Sequence, residues 1–149
     1  MIKIIAGELQ RTSGQAMIGD LSVDSYYRWT HLVGGKIGYC SQENNFDVSA
    51  TVREQLRLYA SLGQVKWDRL DEEVSKFLAL FVLEEYKDLK CGSLSFGNQR
   101  KLMVAMAFIG RSDLVMLDDP LAGIDPLASK QIQKAIKQVS TKSAVIIST

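Results

Sequence analysis

The chain has 149 residues, 46% hydrophobic and 23% charged, with a formal net charge of +1. That length supports one domain with a sizeable core, the composition is that of an ordinary globular protein, and the balanced charge excludes the basic excess that a nucleic-acid surface requires. The single histidine, His31, leaves no histidine-rich metal site and no Ser-His-Asp triad, and Cys40 and Cys91 match no metal-ligand spacing and read as reduced thiols.

Residues 1–6 are predicted to be the tail of a helix, with Gly7 as its C-cap. Residues 12–20 read as turn, short strand and turn, and residues 21–33 as irregular. Gly34-Gly35-Lys36 lacks the earlier glycine and the following hydroxyl of a phosphate loop, so it reads as a turn before a strand. Lys36-Ile-Gly-Tyr-Cys-Ser41 alternates as a strand does, and Gln42 follows it directly. A helix is predicted to start near Ser49 or Ala50. Thr51 and Glu54 stand at capping-box spacing, and Leu56, Tyr59, Ala60 and Leu62 form its apolar face. Residues 66–83 carry Leu70, Val74, Phe77, Leu78, Phe81 and Val82 at three-to-four spacing, which predicts a second amphipathic helix. Residues 84–93 form a polar connection. No uninterrupted apolar run reaches the roughly 18 residues that a membrane-spanning helix needs.

The stretch at residues 94–126, LSFGNQRKLMVAMAFIGRSDLVMLDDPLAGIDP, organises the rest. Ser95 and Gly97 open it as a Ser-x-Gly turn, and residues 99–109 read as a helix. Residues 110–113 break that helix. Leu114-Val-Met-Leu117 is short and continuously apolar, as a strand buried on both faces is. It ends in Asp118, Asp119 and Pro120. Carboxylates at the carboxyl end of a buried parallel strand stand where open α/β sheets place ligands. A small-residue turn that opens a helix offers free N–H groups and a positive dipole end to an anion. Arg100 and Lys101 are expected to add positive charge there. Strand-end aspartates suit Mg²⁺ and a polarised water. Anion cradle and metal carboxylate together point to nucleotide phosphate chemistry. Residues 128–139 then read as a helix and Ser143-Ala-Val-Ile-Ile-Ser148 as an apolar strand.

In order and spacing, these pieces resemble the ATP-binding cassette (ABC) ATPases. LSFGN at 94–98 is similar to the family signature LSGGQ, LVMLDDP at 114–120 to its Walker B strand, and AGIDP at 122–126 to its D-loop. Gln42 resembles the Q-loop glutamine, whose amide can both ligate and donate. IGYCSQENNFDVSATVREQLRLYASL resembles the A-subfamily lipid exporters. The resemblance implies an α/β fold: a P-loop NTPase-type parallel sheet with an inserted helical subdomain, an incomplete ABC ATPase domain. It divides the chain into residues 1–42 of the ATPase core, a helical subdomain at 43–97 ending in the signature, and a Walker B and D-loop part at 98–149.

The implied function is ATP-driven, membrane-associated transport, of lipid on the A-subfamily resemblance, at the cytoplasmic face, with ATP and Mg²⁺. The implied partners are a second nucleotide-binding domain and a transmembrane domain, with no nucleic acid. By resemblance, Asp118 and Gln42 serve the metal, and Asp119 and Gln42 the attacking water. Ser95, Phe96, Gly97, Asn98 and Asp125 serve nucleotide, the signature acting on ATP held by the opposite domain.

Several positions depart from the family pattern. No G-x-x-x-x-G-K-[ST] series occurs in the sequence, and no histidine follows IIST. Both ends fall inside expected elements, which predicts a piece of a longer domain. Phe96 replaces a signature glycine that lets backbone approach a phosphate and adopt positive φ. Asp119 replaces the catalytic glutamate and is one methylene shorter, and a misplacement of about 1 Å can cost about a hundredfold in rate. These departures leave open a degenerate half that clamps nucleotide or partner without hydrolysing it, or a non-functional fragment. A soluble ABC ATPase acting on DNA or ribosomes fits less well, because long coiled-coil insertions and basic arms are absent.

Overall fold

The computed structural model describes residues 2–6, 8–10, 12–18, 21–22 and 37–148. Gly7, His31 and Gly34-Gly35-Lys36 lie outside the described residues, as does most of the stretch expected to be irregular. The chain forms two units, Met1–Gly34 and Gly35–Thr149. In the first, Ile2–Ile5 is a single helical turn, α1. It is followed by an antiparallel pair, β1 (Met17–Ile18) with β2 (Leu21–Ser22).

The second unit begins with β3 (Ile37–Cys40). Helix α2 (Val52–Leu62) follows, then α3 (Leu70–Leu80), α4 (Phe96–Ile109), β4 (Leu114–Asp118), α5 (Pro126–Val139) and β5 (Ala144–Ser148). The strands form a parallel sheet in the order β3-β4-β5. β4 is central, and its first four residues are buried, as its apolar run predicts. The register pairs Cys40 with Leu117 on one side and Asp118 with Ser148 on the other.

Helix α4 is the hub of the unit. Every residue from Arg100 to Ile109 is buried, as in a helix enclosed on all sides. It packs against α2, α3, α5, β3 and β4. Close approach to the sheet depends on Gly38, where an added Cβ would lie 1.8 Å from the carbonyl oxygen of Ala107. The ends of α2 and α4 also meet closely. A Cβ on Gly63 would fall 2.3 Å from the Gly110 Cα, and the Gln64 N–H donates to the Gly110 carbonyl at 2.9 Å.

The capping box at α2 forms as its spacing predicts. The Thr51 hydroxyl accepts from the Glu54 N–H at 3.2 Å, and the Glu54 carboxylate accepts from the Thr51 N–H at 2.8 Å. Leu62, expected on the apolar face, is 67% exposed, because α2 turns its last residue outward before Gly63. The second amphipathic helix is shorter than its periodicity suggests. A 3₁₀ turn at Trp67–Arg69 precedes α3. α3 ends at Leu80, and Val82, at φ 55°, is exposed rather than part of the apolar face. Phe81 stays buried and stacks on Phe77 at 6.1 Å. Cys40 and Cys91 are both free and buried. Burial pushes the Cys40 thiol up to about 11, against the opposing charge of Arg100, so it stays protonated at neutral pH.

Candidate functional site

Three polar stretches converge at the carboxyl end of the sheet. Ser41 and Gln42 leave β3, Asp118 to Pro120 leave β4, and Ser148 ends β5. Arg100, from the second turn of α4, ties the first two together. The Arg100 side chain is buried, and its guanidinium donates to five backbone carbonyls. Nε reaches Pro120 at 3.2 Å, and Nη1 reaches Ser41 at 2.7 Å and Gln42 at 3.2 Å. Nη2 reaches Asp118 and Asp119, each at 2.7 Å. Arginine has five N–H donors in a fixed fork, and here each is used. This corrects the expectation that Arg100 adds charge to an anion cradle. Its donors are taken up by backbone carbonyls because a buried guanidinium must be hydrogen-bonded.

Asp118 is partly buried, and its Oδ1 accepts from the Ser148 hydroxyl at 2.5 Å. The same hydroxyl oxygen accepts from the Asp119 N–H at 3.0 Å. Asp119 stands at φ 48°, in the left-handed region that aspartate enters more readily than most residues. Both polar ends of its backbone are held, the N–H by Ser148 and the C=O by Arg100. Gln42 is exposed at the mouth, its carbonyl fixed by Arg100. Beyond it, the Asn44 amide donates to the Gln99 side chain at 2.7 Å, and the Asn45 N–H reaches the Met103 sulfur at 3.4 Å. The segment after Gln42 is thereby laid along α4. Among the described residues, no group of three or more His, Cys, Asp or Glu could hold a metal. The two strand-end carboxylates fit Mg²⁺ nonetheless, because that ion is bound through one or two carboxylates with phosphates and water rather than in a closed protein cage.

The signature residues form a second cluster. Ser95 is the N-cap of α4, and its hydroxyl accepts from the Asn98 N–H at 3.3 Å. The helix therefore starts at Phe96, three residues earlier than residue 99, and takes the turn into its first coil. Phe96 is helical and not at positive φ, so the phenylalanine meets no backbone penalty. Its ring, 53% exposed, lies 3.4 Å from where a Cβ on Gly123 would stand. Asp125 caps α5, its Oδ1 accepting from the Ala128 N–H at 2.9 Å. Gly97 packs directly on that cap. A Cβ there would meet Asp125 Oδ2 at 3.0 Å and Ala128 Cβ at 3.1 Å. Ser95, Gly97, Asn98, Lys101 and Asp125 line one groove of about 440 Å³. Lys101 is buried there, and desolvation holds its ammonium below the usual lysine range, partly offset by the charge of Asp125.

The structure thus gathers Gln42, Asp118 and Asp119 at one mouth, and Ser95, Gly97, Asn98 and Asp125 around one groove, with Phe96 against Gly123. Of the first cluster, sequence reasoning misdirected one residue and missed another. Arg100 had a signal, a charge at the head of an otherwise apolar helix, but its direction was misread. Ser148 had a weaker one, a hydroxyl closing an apolar strand; its partner follows only from the register.

A parallel sheet with carboxylates at the end of its buried central strand, entered from a helix-capped Ser-x-Gly turn, defines an α/β fold of the P-loop ATPase class. The family model "ABC transporter" matches residues 1–122, and the chain belongs to the ABC transporter family as part of an A-subfamily-like nucleotide-binding domain. It is 31% identical over 150 residues to the glucosylceramide transporter ABCA12 of Mus musculus, covering 100% of this chain and 6% of that protein. It is 32% identical over 148 residues to the retinal-specific phospholipid-transporting ATPase ABCA4 of Mus musculus, covering 99% of this chain and 6% of that protein. The chain therefore spans a small part of these relatives. Among solved structures, the ATP-binding cassette MJ0796 bound to ADP and Pi, a dimeric post-hydrolysis state, superposes with a TM-score of 0.83 at 20% identity. That match covers 99% of this chain and 67% of the cassette.

Proposed function

We propose that this chain serves in coupling ATP binding and hydrolysis to lipid transport across a membrane, as part of a nucleotide-binding domain at the cytoplasmic face. Support comes from one observation above the others: Arg100 binds the backbone of Gln42 and of Asp118 and Asp119 into a single unit at the mouth of the sheet. Asp118, with the Gln42 amide, would hold Mg²⁺, which when bound neutralises phosphate charge. Asp119 accepts a proton from the attacking water or orients it, and Gln42 senses the terminal phosphate. The turn from Ser95 to Asn98, with Phe96 and Gly97 in it, faces ATP held by a second nucleotide-binding domain, and Asp125 links the two sites. A transmembrane domain is the further partner. The relatives whose names give glucosylceramide, phospholipid and cholesterol transport support lipid as the cargo.

The test joins the chain to a G-x-x-x-x-G-K-[ST] segment from a relative and reads Mg-ATP binding and turnover. Asp118→Ala is expected to abolish Mg²⁺-dependent nucleotide binding. Asp119→Glu is expected to speed turnover, because the longer carboxylate reaches the water. Unchanged binding in Asp118→Ala would remove the metal role of that residue. A second reading, a half that clamps nucleotide without hydrolysing it, is favoured by the exposed ring of Phe96 and the short Asp119; binding without turnover in both the parent and Asp119→Glu would select it.

A further inference from the structure

We infer that Ser148 is the positioning residue of the strand-end carboxylates: its hydroxyl aims Asp118 toward the metal and holds Asp119 in its left-handed backbone. The inference rests on the proposed metal role of Asp118. The β4–β5 register sets Ser148 beside Asp118. From there one hydroxyl serves both residues. It donates to Asp118 Oδ1 at 2.5 Å and accepts from the Asp119 N–H at 3.0 Å. A hydroxyl can do both at once, because it carries one donor and two lone pairs. Its bond to a carboxylate is of the strong, charge-assisted kind.

The geometry has a direct consequence for the carboxylate. Among the described residues, Asp118 Oδ1 is taken by Ser148, and no hydrogen bond or ion pair engages Oδ2. Fixing one oxygen removes the rotation of the group about its own bond and leaves the other as the free ligand. The Asp119 backbone is fixed at both ends, its C=O by Arg100 at 2.7 Å and its N–H by Ser148. Without the hydroxyl, the left-handed backbone at φ 48° loses one of its two restraints. Groups that orient metal ligands from behind in this way typically matter about 10- to 100-fold in metal affinity.

Valine and threonine at position 148 provide the test, because they share shape and strand preference and differ in the hydroxyl. The 149-residue chain and its Ser148→Thr and Ser148→Val variants are compared by nuclear magnetic resonance. Two metal-free readouts are the deuterium isotope shift on the Asp118 carboxyl carbon and the exchange protection of the Asp119 amide. The third is the Mn²⁺ concentration that broadens the Asp118 and Asp119 signals. Ser148→Thr is expected to keep all three. Ser148→Val is expected to lose the isotope shift and the protection, and to need about tenfold more Mn²⁺. An unchanged isotope shift in Ser148→Val overturns the contact. Lost contact with unchanged Mn²⁺ response overturns the positioning role. Absence of any Mn²⁺ response at Asp118 in the parent chain overturns the metal reading itself, and with it the metal half of this inference, while the metal-free readouts still decide whether Ser148 sets the carboxylate.

Discussion

At the scale of single residues, the most consequential side chain is Arg100. It is a buried charge with no carboxylate ion pair among the described residues, and its guanidinium donates to five carbonyls. Removing it would leave one buried and four partly buried acceptors without this donor, and each group that water cannot reach instead costs about 1–3 kcal/mol. Arg100→Met is therefore expected to lower stability in urea denaturation by about 3 kcal/mol or more. Arg100→Lys keeps the charge but has three donors and no planar fork. It is expected to recover part of the loss, with exchange protection still reduced from Ser41 to Gln42 and from Asp118 to Pro120. Equal stability of both variants and the parent would mean that the carbonyls find water instead. The same residue shows what was legible in the sequence. That Asp118 and Asp119 stand at a strand end was readable from the apolar run before them, and Gln42 was singled out by its resemblance to the Q-loop glutamine; the roles of all three are proposals. The direction of Arg100 was not readable, because a helix N-terminus attracts anions and also approaches the sheet, and only packing decides which an adjacent cation serves.

At the scale of elements, α4 and its contacts set the stability of the second unit. Gly38 is the narrowest point between helix and sheet. A Cβ at 1.8 Å from a backbone oxygen cannot be absorbed by a side-chain movement, so β3 and α4 would have to part. Gly38→Ala is expected to destabilise the chain by about 3 kcal/mol or more, at the upper end of overpacking losses, measured by thermal or urea unfolding. Helix α2 allows a gentler test. The Thr51 N–H, and after it the Thr51 hydroxyl, hold the Glu54 carboxyl below its ordinary value of 4.5. A carboxyl depressed in the folded state lends stability that is fully present above its unfolded value. That stability is lost as pH falls through the lower folded value. Amide protection at the start of α2 is therefore expected to fall below about pH 4.5, and Glu54→Gln is expected to flatten that dependence. The capping box was legible because it is local, two residues three apart. The start of α4 and the end of α3 were placed differently: Ser95 caps α4 through the Asn98 N–H, and α3 closes at Leu80 with Val82 at φ 55° and the Leu83 N–H donating back to the Leu78 carbonyl. Periodicity reports the faces of a helix, not where its caps fall.

At the scale of the whole molecule, the proposed function assigns the two clusters to different nucleotides. In the proposed arrangement, Gln42, Asp118 and Asp119 attend one ATP through its metal and water, and the turn from Ser95 to Asn98 attends another held by an opposite domain. No single ATP is gripped by both sets within one copy. The 149 residues also contain no G-x-x-x-x-G-K-[ST] series, whose backbone N–H groups and lysine make most of the phosphate contacts in P-loop proteins. A micromolar dissociation constant corresponds to about 8 kcal/mol of binding free energy. In the proposed arrangement, one copy offers one nucleotide a metal carboxylate, a water-facing carboxylate and an amide, all of which would act through Mg²⁺ or water. Such contacts are well short of that figure. Calorimetry of the 149-residue chain with Mg-ATP is thus expected to show no micromolar binding and no turnover, and raising the protein concentration is not expected to create either. Joining the phosphate-loop segment is expected to bring binding into the micromolar range through the first cluster, and pairing of two such domains is then expected to depend on the second. Phe96→Gly is expected to strengthen that pairing while leaving the affinity of the unpaired domain unchanged, because Phe96 lies in the signature turn, which the proposal assigns to the opposite nucleotide. Micromolar binding with turnover by the 149-residue chain alone would overturn this division of labour.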